Sequence, residues 1–377
     1  MIAFARSALL AFALALPTAA AWSQGVTPRT VVLGQSAPLS GALQAHGEEI
    51  RNGALAYFRK LNDAGGVHGR RIELATLDDA GDAKRTLANT RRFIEEFKVF
   101  ALFGYADAGV TRELLALLLK ARVPLFAPVT GAALARQPGR SVYTVRAGHA
   151  DEIERVIGHY AQLGLKRFAL LRGDDAAGAE FLAAARAALA RRGLAAPADA
   201  PLKGGAEGIA AVVREVFVAD ADVVMLALPQ PPAADLVRAL KRAGRSALIV
   251  ALSPADPGLL AQGLGADGAG LALSQVVPPL ARVSLPVVAE YRAAIEAETG
   301  RTDYSPASFE AYVAAKVFAE AVRRVGPALT RETLLLALDA MSYHDVGGYT
   351  VSFSRSNRQG SARNYLMALT REGKLLH

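Results

Sequence analysis

The order of apolar runs predicts an α/β protein built as two doubly wound, parallel-sheet lobes with a cleft between them. Three observations carry that prediction. Short apolar strands alternate with amphipathic helices, as in parallel sheets covered on both faces. The alternation restarts near residue 151. The chain has 377 residues, enough for two domains of ordinary size, and 52% of them are hydrophobic against 21% charged, so each domain can bury a core.

In the first half, Val31 to Gly34 reads as a strand and Glu48 to Leu61 as a helix, with Ile50, Leu55, Phe58 and Leu61 near helical spacing. That helix stops at Asn62-Asp63-Ala64-Gly65-Gly66. Strands follow at 72–77, 99–103 and 123–127, separated by helices over 82–97, with Asp82 as candidate N-cap, and 111–121. In the second half, helices are expected over 151–163, 179–192, 209–217 and 233–243. Strands are expected over 167–171, 222–228, 247–252 and 271–277. Helices over 285–299, 305–325 and 330–341 then precede two strands, Tyr349 to Phe353 and Tyr365 to Thr370, joined by a polar turn.

Met1 to Ala21 has the pattern of a secretory signal: Arg6, an apolar run from Ser7 to Leu16, the breaker Pro17, and small residues for cleavage. Residues 1–23 are therefore expected to be a signal peptide, and the mature protein to be exported to a bacterial periplasm. The apolar run is shorter than the roughly 20 residues a membrane span needs. Cysteine is absent, which excludes disulfides, thiolate metal sites and cysteine nucleophiles. The six histidines include no pair at metal-binding helical spacing, so no metal and no cofactor are expected. The net charge of +8 is spread in pairs such as Arg91-Arg92 and Arg323-Arg324, which read as solvated helix faces rather than a nucleic-acid surface.

Motifs for catalysis are weak. Gly263, Gly265 and Gly268 match the dinucleotide fingerprint in spacing, but a helix precedes them and a strand follows, the reverse of the order that binds pyrophosphate. No Gly-x-Ser-x-Gly elbow and no Walker loop is present. Asp78-Asp79 and Asp174-Asp175 each follow a strand and are expected to serve turns and helix caps. More informative are four loops beyond the carboxyl ends of first-half strands, at 36–47, 78–82, 104–110 and 128–133, where open α/β sheets bind ligands. If a helix starts after Thr130, that residue is its N-cap, and the amides beyond Gly131 suit a carboxylate.

Several segments carry a family likeness. Gly34-Gln35-Ser36-Ala37-Pro38-Leu39-Ser40-Gly41, the turn from Asn62 to Arg70, Thr76-Leu77-Asp78-Asp79, Ser308-Phe309-Glu310-Ala311-Tyr312 and the stretch from Gly347 to Ser354 fall in order over essentially the whole mature chain. Together they resemble the leucine/isoleucine/valine-binding type of ABC-importer solute-binding protein, with the type I periplasmic-binding-protein fold. The resemblance implies two lobes joined by three hinge crossovers, lobe 1 taking 26–146 and 278–343, and lobe 2 taking 147–277 and 344–377. It implies a monomer that closes on a small-molecule ligand and docks on a membrane permease.

The resemblance carries site residues over in part. Ala108 stands where the family has a hydroxyl for the ligand carboxylate, and Thr130 matches the second such hydroxyl, followed by Gly131. Tyr105 lies in the same loop as Ala108. His46 stands where the first loop often has an aromatic residue. In lobe 2, Gln230 lies beside the place of a tyrosine, and Asp256 near that of the acid that pairs with the ligand ammonium. With the zwitterion clamp incomplete, the expected ligand is an amino acid or similar small organic solute, less polar or differently charged than a branched-chain amino acid. Two other readings stand beside the importer component: a ligand sensor of the same fold reporting to a membrane partner, and a secreted α/β enzyme using Asp79, Asp175 or His46. Missing nucleophile motifs weigh against the enzyme.

Overall fold

The computed structural model describes residues 24–106, 110–137, 141–244 and 247–376. The expected signal peptide lies outside them. The first half runs β1 (Thr30–Ala37), α1 (Gln44–Asp63), β2 (Arg71–Asp78), α2 (Ala83–Glu95), β3 (Ala101–Phe103), α3 (Arg112–Ala121), β4 (Leu125–Phe126) and β5 (Val142–Tyr143). These strands form one parallel sheet in the order β2-β1-β3-β4-β5. The second half runs α4 (His149–Gln162), β6 (Phe168–Gly173), α5 (Ala176–Ala190), β7 (Ala198–Leu202), α6 (Ala206–Val218), β8 (Val223–Ala227), α7 (Pro232–Arg242), β9 (Leu248–Ala251), α8 (Pro257–Leu264) and β10 (Ala272–Gln275). Its parallel order, β7-β6-β8-β9-β10, repeats the first.

The chain then adds α9 (Pro286–Thr299), α10 (Pro306–Val325) and α11 (Arg331–Asp339), followed by β11 (His344–Asp345), β12 (Thr350–Val351), β13 (Tyr365–Leu369) and β14 (Leu375–Leu376). Strand β13 pairs antiparallel with β10, and β14 with β13, extending the second sheet. The small hairpin β11–β12 stands apart from both sheets.

Alternation of side chains along each strand explains the two-sided cover. In the first sheet, Val31, Leu33 and Phe103 face α1, α9 and α10, while Leu102 and Leu125 face α2 and α3. In the second, Leu171, Val224 and Leu226 face α6, α7 and α8, while Leu170, Val223 and Met225 face α4 and α5. Side-chain caps start the helices where the sequence signalled them: Asp82 accepts from Arg85 N–H at 2.8 Å and Asp175 from Gly178 N–H at 2.7 Å. Helix α8 ends at Leu264, and a four-residue 3₁₀ turn over Gly265–Gly268 leads to β10, so the glycine triplet is a helix-to-strand turn.

Several expectations are corrected. Strands β5 and β7 escaped the sequence reading: β5 is two residues long, and β7 reads Ala-Asp-Ala-Pro-Leu on a sheet edge, where proline costs no ladder bond. The resemblance places residues 344–353 in the second lobe, yet Val346, Tyr349, Val351 and Phe353 share the apolar core of Phe126 and Phe318 in the first. The Phe353 ring meets Tyr143 edge-on at 5.5 Å, and the Tyr349 hydroxyl donates to Val145 O at 2.9 Å. The chain passes between the sheets three times: after β5, after β10 and between Phe353 and β13. The first and third passages are stitched together, Thr144 N–H donating to Arg358 O at 3.0 Å and Gly360 N–H to Thr144 O at 2.6 Å.

Candidate interlobe site

The contacts between the lobes come from segments that follow the carboxyl ends of their strands. Beyond β4, Thr130 is buried; its Oγ1 accepts from Ala132 N–H at 3.0 Å. It is not a helix N-cap: the nearby 3₁₀ turn covers only Ala133–Arg136, with Ala132 in the cap position. The Gly131 carbonyl accepts from His149 N–H at 2.9 Å, and a Cβ on Gly131 would lie 2.0 Å from the His149 ring. Only glycine fits that approach.

His149 begins α4, its ring centroid 4.1 Å from that of Phe181 and its Nδ1 3.4 Å from Glu180 Oε1. Glu180 Oε1 also accepts from Ala133 N–H at 2.7 Å, a direct bond from the second lobe to the first. Burial pushes the Glu180 carboxyl up, but His149, the Ala133 amide and the Arg136 charge outweigh it and hold the group below its ordinary value.

Across the cleft, Gln230 and the loop after β9 clasp each other: Gln230 Nε2 donates to Asp256 O at 2.9 Å, and Asp256 N–H to Gln230 Oε1 at 3.1 Å. Asp256 caps α8 by accepting from Leu259 N–H at 3.0 Å, and Ser305, the N-cap of α10 in the other lobe, is near enough to act on its carboxylate. Burial nevertheless raises its pKa. The structure thus joins Gln230 to Asp256, and Gln230 serves to shape the loop. His46, in the first turn of α1, is exposed in the cleft, yet the protein around its ring and the Arg146 guanidinium lower its pKa to about 4. It is neutral at neutral pH.

Two sequence-derived site residues do not join this group. Tyr105 is fully buried in the core beneath α2 and α3, its hydroxyl 2.9 Å from Thr90 Oγ1, so its side chain is a packing residue. Only its carbonyl, which accepts from Val129 N–H at 2.8 Å, touches the Thr130 loop. Ala108 lies outside the described residues. The paired aspartates are turn formers: Asp78 accepts from Leu39 N–H at 2.8 Å and Ser40 Oγ at 2.7 Å, and Asp79 from Ser36 Oγ at 2.7 Å.

The sequence reading missed the polar residues at the hinge. Arg136 spends its five N–H groups on neutral acceptors: Thr130 O, Ala132 O, Arg146 O, Ala147 O and Gln359 Oε1, at 2.9–3.1 Å. Burial, reinforced by the nearby Arg146, lowers its pKa to about 10. Arg146, on the first passage, lies between Glu310 of α10 and Ser253 of the loop after β9. The signal for Glu310 was present: it sits between Phe309 and Ala311 in a helix buried along nearly its whole length, where an ionisable group needs a partner. On the other flank of the second passage, Pro257, Gln275, Val277, Pro279, Tyr304 and Pro306 line an apolar crevice between the lobes.

Comparisons with known proteins agree with this architecture. The family profile described as "Periplasmic binding protein" matches residues 30–374. An amino acid binding protein of Pseudomonas aeruginosa is 27% identical over 294 residues, 76% of this chain and 78% of that protein. A Leu/Ile/Val-binding protein of Rhizobium johnstonii is 24% identical over 58% of this chain and 60% of its own length. Among solved structures, a substrate-binding periplasmic protein from Ralstonia solanacearum is 33% identical with a TM-score of 0.82, covering 92% of this chain and 99% of that one. A possible leucine/isoleucine/valine-binding protein from Rhodopirellula baltica, at 22% identity, shares the fold with a TM-score of 0.85 over 93% of this chain and 97% of that one. With two parallel-sheet lobes, three passages between them and a profile match over nearly its whole length, this chain belongs to the periplasmic binding protein family, with the type I fold.

Proposed function

We propose that this protein is the periplasmic solute-binding component of an ABC importer, taking an amino acid or similar small organic solute between its lobes and delivering it to a membrane permease. It is not an enzyme in this reading, works as a monomer, and reaches the periplasm by the signal peptide at 1–23. Among the described residues no helix is long and apolar enough to cross a membrane, in keeping with a protein that meets its permease from outside the bilayer.

The observation that carries the reading is a cleft whose walls bond to each other across it, from Ala133 N–H to Glu180 and from His149 N–H to Gly131 O. Opening breaks those bonds, and a ligand that touches both walls favours the closed form by its differential contacts. In this reading the Thr130–Gly131 loop and His46 form one wall, and the Asp256 loop held by Gln230 forms the other. The names of the P. aeruginosa and R. johnstonii relatives support an amino acid or a close analogue.

Thermal melting of mature protein, refolded to strip carried-over ligand, tests it against L-amino acids, aliphatic and aromatic carboxylates, amides and ureas. A ligand at 100-fold above its Kd stabilises by about 2.7 kcal/mol, a readily measured rise in Tm. A panel without any shift sinks the importer reading for these solutes, and turnover of a panel member sinks the non-enzymatic one.

A further inference from the structure

The polar residues at the hinge include one side chain caught between two partners on opposite lobes. The Arg146 backbone is held to the first lobe, its carbonyl accepting from Arg136 at 3.1 Å. Its guanidinium reaches in two directions. Nη2 donates to Ser253 Oγ at 2.9 Å, and Ser253 is anchored in the second lobe by bonds of 2.7 Å from both its N–H and its Oγ to the Glu152 carboxylate of α4. Nη1 stands 3.5 Å from Glu310 Oε2 of α10, in the first lobe.

The two attachments are unequal. The bond to Ser253 is a good one. The separation from Glu310 is longer than the roughly 2.7–2.9 Å of a tight charge-assisted bond. Glu310 is almost wholly buried, and its Oε1 has no hydrogen-bond partner among the described residues. A buried carboxylate with an idle oxygen is costly, and the cheapest donor within reach is the guanidinium that Ser253 now shares. Arg136 and Tyr349 also act on Glu310 electrostatically, but neither bonds to it.

We propose that Arg146 is a two-position latch for lobe closure. With the lobes together it bridges Glu310 to Ser253 and Glu152. When the second lobe swings away, Ser253 and Glu152 leave with it, and Arg146 settles on Glu310 with two short bonds, satisfying the idle Oε1. The latch adds to the other bonds between the lobes a contest between one hydrogen bond across the hinge and one tightened ion pair within the first lobe. It rests on the solute-binding reading for its purpose but needs no ligand for its test.

Variants on either side of the contest shift the lobes in opposite directions. Ser253→Ala removes the cross-lobe bond and favours opening. Glu310→Gln removes the competing carboxylate and favours closure. The natural chain contains no cysteine, so Leu119→Cys and Val218→Cys, both exposed and on different lobes, accept spin labels without background. Distances between the labels are read by pulsed EPR without ligand. One hydrogen bond corresponds to about a two- to tenfold shift in the population of separated lobes, upward for S253A and downward for E310Q. Equal distance distributions for wild type and a folded S253A overturn the latch, as does a wild type already fully at the separated distance. If E310Q fails to fold, S253A alone decides. A latch that responds in a protein that binds no solute refutes only the importer reading; a bound solute with an unmoved S253A refutes only the latch.

Discussion

At the scale of single residues, one close approach sets where the first lobe meets the second. Gly131 lies so near the His149 ring that no side chain fits, and this contact brings the first lobe's loop against the start of α4. His46 shows how a cleft wall tunes a group that water still reaches. Desolvation by the surrounding protein, and then Arg146, hold its imidazole at about 4. The folded protein therefore takes up that proton at lower pH than the unfolded chain, whose histidine titrates near about 6.5. The stability His46 contributes is present above about 6.5 and is lost as pH falls toward 4. Histidine NMR is expected to show one ring titrating near 4 that disappears in His46→Gln. A His46 midpoint at or above the ordinary value would mean that Arg146 does not face the ring.

Helices and loops set the next scale, and here the α1–α10 crossing positions the site. Gly53 of α1 faces the carbonyl of Ser308, and a Cβ there would lie 1.9 Å from that oxygen. The helices must part for any larger residue. Gly53→Ala is expected to destabilise by about 1–3 kcal/mol through overpacking, measured by urea unfolding. Because α1 carries His46 and α10 carries Ser305 and Glu310, the same substitution should weaken ligand binding from a distance. Unchanged unfolding midpoints would show that the crossing is not tight. Element types were largely readable in advance, because apolar runs and caps such as Asp82 and Asp175 are local signals. The short strands β5 and β7 were not, since two residues or an edge proline leave no periodic trace.

For the whole molecule, the hinge is the decisive region. Arg136 ties the Thr130 loop, the first passage and Gln359 of the third into one unit. Arg136→Met leaves up to five acceptors without their donor and is expected to cost about 2–4 kcal/mol, with water replacing part of the loss. Chemical denaturation checks the cost. Ligand affinity should fall more than stability alone explains, because the loop that carries Thr130 loses its tether. A variant with wild-type unfolding and affinity would relegate Arg136 to the surface.

The sequence alone determined the two-lobed α/β class, most of the strand and helix order, caps such as Asp82 and Asp175, and the family, because these follow from periodicity and from motifs spread along the chain. Tertiary structure alone decided which polar groups meet. Tyr105 turned inward to Thr90, residues 344–353 joined the first core, and Arg146 with Glu152, Ser253 and Glu310 converged from three separated stretches. The physical reason is range. Apolar periodicity is written within a dozen residues, whereas a buried charge finds its partner only after packing removes water and brings distant segments together.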